Sequence, residues 1–180
     1  MHVHDEFRIV PLADAADTIP ILARLFIEEW EPYYGPDGPG DATNDLKECC
    51  NRDDLPTAVV ALDDDGTVLG TAALKTESVG AELGVGPWLS ALVVPIEHRK
   101  RGIGTALIDT IEKKAHCLGL ESIYVSTDAA ENIIRHRGWT ALEDPAESLR
   151  GPVAVYKLQL STKSFGAPTV PAPPRPARFR

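Results

Sequence analysis

Apolar residues change spacing along the chain between the two-residue period of strands and the 3.6-residue period of helices. The changes mark out an alternating series of elements. Phe7, Ile9 and Leu12 alternate with polar neighbours as a first strand would. Ile21, Leu22, Leu25, Phe26 and Trp30 then fall on one helical face, with Asp14 or Asp17 placed to cap that helix. Residues 31–40 are crowded with Pro and Gly and predict a loop, followed by a short helix over 45–51. Two apolar runs at 57–62 and 67–74 flank Asp63-Asp64-Asp65-Gly66 and predict a β-hairpin covered on both faces.

A Gly-rich loop over 79–87 leads to an apolar strand at 88–94, closed by Pro95. Ile103, Leu107, Ile111, Ala115 and Leu118 predict a long helix over 102–118, stopped by Gly119. A strand at 122–127, a short helix at 129–137 capped by Asp128, and strands at 139–142 and 153–160 complete the pattern. This order predicts an α/β layered fold around one mixed sheet, a single domain over 1–160 without internal repeats. Residues 161–180 hold five prolines and little that can enter a core, and form a separate basic tail. The expectation for this tail is an extended segment held by a neighbouring acidic subunit, hence a homodimer.

Composition narrows the class. The 180 residues are 43% hydrophobic and 25% charged, the balance of a globular protein. No apolar run reaches the roughly 18–20 residues that span a bilayer, and residues 1–8 lack a secretion signal, so a cytoplasmic location is expected. Cys49, Cys50 and Cys117 form neither a disulfide framework nor a metal spacing, and no metal is expected. Residues 1–160 hold 14 of the 18 basic and all 27 acidic side chains, a net charge of −13. Such a body repels nucleic acid and anionic membranes and attracts a cationic substrate.

Against this acidity, Arg99-Lys100-Arg101-Gly102-Ile103-Gly104 stands out, between an apolar strand and an amphipathic helix. Helix amino termini present unpaired N–H groups to anions, and the two glycines let a phosphate approach the backbone. A nucleotide-hydrolase loop is excluded because no Lys-Ser/Thr pair follows the glycines. A dinucleotide fingerprint is excluded because its third glycine position holds Leu107. The remaining phosphate loop, [RQ]-x-x-G-x-[GA], matches at every defined position.

With Leu92-Val93-Val94-Pro95 before it and Arg137-Gly138-Trp139 after it, the segment resembles the Gcn5-related N-acetyltransferase (GNAT) superfamily. The resemblance implies a mixed, mostly antiparallel sheet of six or seven strands flanked by helices, and an acetyl-CoA co-substrate. Backbone groups of Leu92, Val93 and Val94 would bond the pantetheine arm. N–H groups of Arg101, Gly102, Ile103, Gly104 and Thr105 would hold the pyrophosphate, with Lys100 adding charge and Arg99 beside them. It further implies direct acetyl transfer to a primary amine of a small molecule or peptide.

Amide formation from a thioester needs a neutral amine, a stabilised oxyanion and a protonated or stable leaving thiolate. A backbone N–H of Val93 or Val94 is the candidate for the oxyanion. Glu29, with Glu28 and Glu31 beside it, is the candidate base, and Glu82 a further one. Trp30, Tyr33 and Tyr34 are candidates for an aromatic wall facing a cation. Many members of the superfamily place an acidic Tyr four residues before the Gly of the Gly-aromatic pair, but that position here is Ile134. Ser126, Thr127 and Tyr156 are the substitute donors, and loss of turnover, leaving an acyl-CoA-binding regulatory module, is the alternative. His98 is a candidate coenzyme contact, whereas His116 and His136 read as surface residues.

Overall fold

In a computed structural model, residues 7–160 are described; the tail at 161–180 and its expected subunit contact lie outside them. The chain forms β1 (Phe7–Pro11), α1 (Ile19–Glu29), α2 (Glu31–Tyr34), α3 (Ala42–Glu48), β2 (Thr57–Asp63), β3 (Val68–Lys75) and β4 (Trp88–Val93). It continues with α4 (Ile103–Cys117), β5 (Ser122–Ser126), α5 (Glu131–His136), β6 (Thr140–Ala141), β7 (Ala146–Ser148), β8 (Gly151–Val153) and β9 (Val155–Gln159). Among the described residues, seven strands form one sheet in the order β1-β2-β3-β4-β5-β9-β6, antiparallel except between β4 and β5, and β7 and β8 form a separate hairpin.

The β2–β3 hairpin is buried along almost its whole length, as its continuous apolar runs require. Its turn is built by Asp63, whose Oδ1 accepts from the N–H groups of Asp65 (3.0 Å) and Thr67 (2.8 Å). Alternating side chains separate two cores. Val59, Ala61, Leu69 and Leu74 pack under α4 with Ile103, Leu107, Ile108 and Ile111, together with Ile134 and Trp139. On the opposite face Ala58, Val60, Leu62 and Val68 meet Leu22, Phe26 and Leu46 of α1 and α3. A smaller cluster of Trp88, Tyr124, Ala146 and Val155 lies beneath the β7–β8 hairpin. Each fully buried Leu, Ile or Val here contributes about 1.5–3 kcal/mol.

Several local expectations are corrected. Neither Asp14 nor Asp17 caps α1: its N-cap is Thr18, and Asp14 instead pairs with Arg52. Ile21 is exposed, because the buried stripe of α1 runs through Ile19, Leu22, Ala23 and Phe26. Residues 31–34 form a helical turn, with Pro32 at a position where its missing N–H costs nothing. Asp128 does not cap α5, whose N-cap is Ala130 without a side-chain cap; the Thr127 Oγ1 accepts from Ala130 N–H at 3.0 Å just before it. The strand expected at 139–142 is confined to two residues, and the β7–β8 hairpin was not foreseen.

Candidate active site

Among the described residues, the register of β4 with β5 is limited to Trp88 opposite Tyr124. Past that pair no further β4–β5 register is formed. In the same stretch β4 carries a bulge: Ser90 opposes Ala73 and Val93 opposes Thr71, so Ala91 and Leu92 share Ala72. Ala91 has φ 52°, a conformation an alanine adopts only where its surroundings impose it. Bulges of this kind re-aim backbone and side chains at a site. Here Leu92 and Val94 pack on the α4 face, and Ala91 and Val93 on the α1 face. No feature of the sequence signals the bulge, since alanine is not a left-handed residue by preference. Ser90, beside it, places Oγ 3.1 Å from Ser78 Oγ and was likewise missed.

The loop between β4 and α4 contains a second strained residue, Lys100 at φ 63°, followed by Gly102 at φ 80° as the N-cap of α4. The first helical bond runs from Ala106 N–H to Gly102 C=O at 3.0 Å, and no side chain caps the first turn. The N–H groups of Ile103, Gly104 and Thr105 therefore face outward without intrahelical partners. A Cβ built on Gly104 meets only Val94 Cγ2, at 3.8 Å, so space above the turn is open. Thr105 also borders a groove of about 260 Å³ between α4 and α5, lined by Asn132, Ile133, His136 and Arg137.

The candidate side chains divide between the two faces of the sheet. Ser126 opposes Val155 at the end of β5, and Tyr156 opposes Val125 one step on, so their side chains point to opposite faces. Tyr156 is fully buried, and its hydroxyl donates to Glu131 Oε1 at 2.7 Å and accepts from Arg135 Nε at 3.3 Å. The bond to Glu131 pushes the phenol's pKa up, because it holds the proton. Glu29, the last residue of α1, lies near the loop, with Oε2 3.6 Å from Arg99 Nη2. Arg99 Nε donates to Val94 C=O at 2.8 Å. His98 Nδ1 lies 3.1 Å from Arg101 Nη1.

Other candidates are engaged elsewhere. Glu82 accepts from Glu147 N–H at 3.0 Å, and hydrogen bonds from its own and the Glu147 backbone hold its carboxyl below the usual range. Trp30 and Tyr34 pack around Phe26, with ring centroids 5.1 and 5.5 Å away, leaving Tyr33 as the exposed aromatic. The Tyr34 hydroxyl donates to Asp45 Oδ2 at 2.7 Å. Burial pushes the Cys49 thiol up to about 11, which leaves it a poor nucleophile at neutral pH. His116 and His136 are exposed.

Ile134 is fully buried in the core beneath α5. A tyrosine there would have to enter packed space, at a cost of about 1–3 kcal/mol. Ile134→Tyr is therefore expected to lower the melting temperature without raising turnover, to be checked by thermal melts and thiol release. A rate gain of tenfold or more would mean that this helix turns to present the residue.

A family model described as the acetyltransferase (GNAT) family matches residues 22–139. No curated protein matches the chain. Among solved structures, aminoglycoside 6'-acetyltransferase type Ii is similar at 22% identity and a TM-score of 0.65, over 86% of this chain and 97% of that one. An aminoglycoside 6'-N-acetyltransferase complexed with coenzyme A aligns at 17% identity and TM-score 0.67, over 94% and 99% of the two chains. Mutant forms of the spermidine/spermine N-acetyltransferase SpeG from Vibrio cholerae align at 14% identity and TM-score 0.62, over 86% and 95%.

Proposed function

The chain belongs to the acetyltransferase (GNAT) family, and on that premise we propose that it transfers the acetyl group of acetyl-CoA to a primary amine of a small molecule or peptide by direct attack. The observation that carries the proposal is the uncapped first turn of α4, which follows a strand that is bulged against β3 and paired with β5 at one position. Acetyl-CoA, when bound, supplies an acyl group activated as a thioester. The N–H groups of residues 101–105 and the charges of Lys100 and Arg101 suit its diphosphate. The backbone edge of Leu92, Val93 and Val94, beyond the one rung shared with β5, suits an extended amide-bearing arm.

The remaining work falls to the protein's own groups. An alkyl ammonium has a pKa of ~10.4, so the acceptor must lose a proton before attack. Water or the exposed Glu28 and Glu31 receive that proton, since Glu29 already faces Arg99. A backbone N–H past the bulge stabilises the developing oxyanion. Tyr156 holds its proton against Glu131, which leaves Ser126 and Thr127 as the hydroxyl donors to the departing sulfur. A thiolate of pKa ~8.5 also leaves at neutral pH with little help.

A cationic acceptor fits the acidic body of residues 1–160, and the aminoglycoside and spermidine/spermine substrates named for the structural neighbours are cations of this kind. A thiol-release assay with spermidine, kanamycin and a lysine-containing peptide tests the proposal. At least one amine should raise release over the hydrolytic background by about 100-fold or more. No stimulation by any amine, with tight coenzyme A binding intact, would sink the acceptor assignment.

A further inference from the structure

Arg99 opens the phosphate-loop motif, and its side chain contacts Val94 and Glu29. Its Nε donates to Val94 C=O at 2.8 Å, and its Nη2 stands 3.6 Å from Glu29 Oε2 at the end of α1. A guanidinium serves a carbonyl and a carboxylate at once because its donors point along different edges of one rigid plane. Glu29 is held a second time from the opposite side. Arg150, in the turn of the β7–β8 hairpin, donates to its backbone carbonyl, while Glu147 N–H of β7 donates to Glu82 before β4. Arg99 and Arg150 thus meet on one residue, and through it the end of β4, the end of α1 and the hairpin are linked.

We infer that Arg99 is a positioning residue and not a ligand of the diphosphate. Acting through Glu29, it sets the separation between the strand that carries the thioester and the helix-and-hairpin wall along which the amine enters. This rests on the acetyl-CoA reading above. Reaction rates depend steeply on such separations, because a displacement of about 1 Å between reacting groups costs on the order of 100-fold. An exposed ion pair at this distance contributes little to folding, so its removal leaves a folded protein to measure.

The test compares wild type, Arg99→Gln, Glu29→Gln, the double variant and Arg99→Lys in the full chain. Coenzyme A affinity is read by calorimetry, and kinetics are read with whichever of spermidine, kanamycin or the lysine peptide releases thiol fastest. The expected result is coenzyme A affinity within about twofold of wild type for both single variants, with amine kcat/KM lowered about tenfold in each. The double variant should be no worse than Arg99→Gln, and Arg99→Lys should recover part of the loss. Weakening of coenzyme A by tenfold or more in Arg99→Gln, with Glu29→Gln unchanged, would make Arg99 a phosphate ligand and overturn the inference alone. Loss of the acidic limb of the pH–rate profile in Glu29→Gln only would make Glu29 the proton acceptor and overturn it likewise. A wild-type chain that fails to bind coenzyme A would remove the parent reading, and this one with it.

Discussion

Gly104→Glu should lose coenzyme A affinity by 100-fold or more while the protein melts no lower than wild type. The two effects separate because the position is stereochemically free. Gly104 is the second residue of α4, and a Cβ there meets only Val94 Cγ2, at 3.8 Å. Replacing glycine inside a helix gains about 0.5–1 kcal/mol, and a carboxylate in the first turn adds a favourable term with the helix dipole. The same carboxylate would face the diphosphate. At an effective dielectric of about 20, two unit charges about 4 Å apart repel by roughly 4 kcal/mol, well beyond the ~2.7 kcal/mol that 100-fold represents. Gly104→Ala is the control, with stability raised and binding kept. Calorimetry and thermal melts on the three proteins decide it: wild-type affinity in Gly104→Glu would move the diphosphate site away from α4.

The largest expected loss of stability follows from Glu112→Ala, at about 2–4 kcal/mol. Glu112 Oε1 accepts from Arg137 Nε and from Trp139 Nε1, each at 2.9 Å, and Oε2 accepts from Arg137 Nη2 at 2.5 Å. The Arg137 side chain is only 21% exposed, so truncating its partner leaves a poorly solvated guanidinium and an indole N–H with nothing to donate to. Asp109 offers a second acceptor to Arg137 at 3.2 Å, which limits the loss. Asp109→Ala should for that reason cost far less. For a domain of this size the Glu112 change corresponds to a fall of roughly 5–15 °C in melting temperature. Urea titrations of both variants check the ranking, and a larger cost for Asp109→Ala would mean that Asp109, not Glu112, anchors Arg137.

The turn that opens α4 was legible in the sequence because a glycine carries it: Gly102 at φ 80° is a position that glycine alone fills cheaply. The β2–β3 hairpin and α4 were legible for a related reason, their patterns being long and unbroken. Local acids misled instead. Asp14 and Asp128 carry the composition of helix caps, but a distant arginine claims the first, and α5 starts after Ala130 with no side-chain cap, leaving the second outside the role. The bulge at Ala91 and the β7–β8 hairpin left no trace, since both depend on what neighbouring strands demand and not on local preference. Which way Arg99 points, and that Ser126 and Tyr156 face apart, are consequences of register that composition does not encode.

The single rung between β4 and β5 also bears on the mechanics of the sheet. Four strands, β1 to β4, form one block and β5, β9 and β6 another; among the described residues a single rung, Trp88 to Tyr124, stitches the two blocks together. On the proposed reading, a coenzyme arm laid in that seam would tie both edges at once. Binding would then stiffen the sheet, and part of the coenzyme's intrinsic affinity would be spent on ordering the fold that holds it.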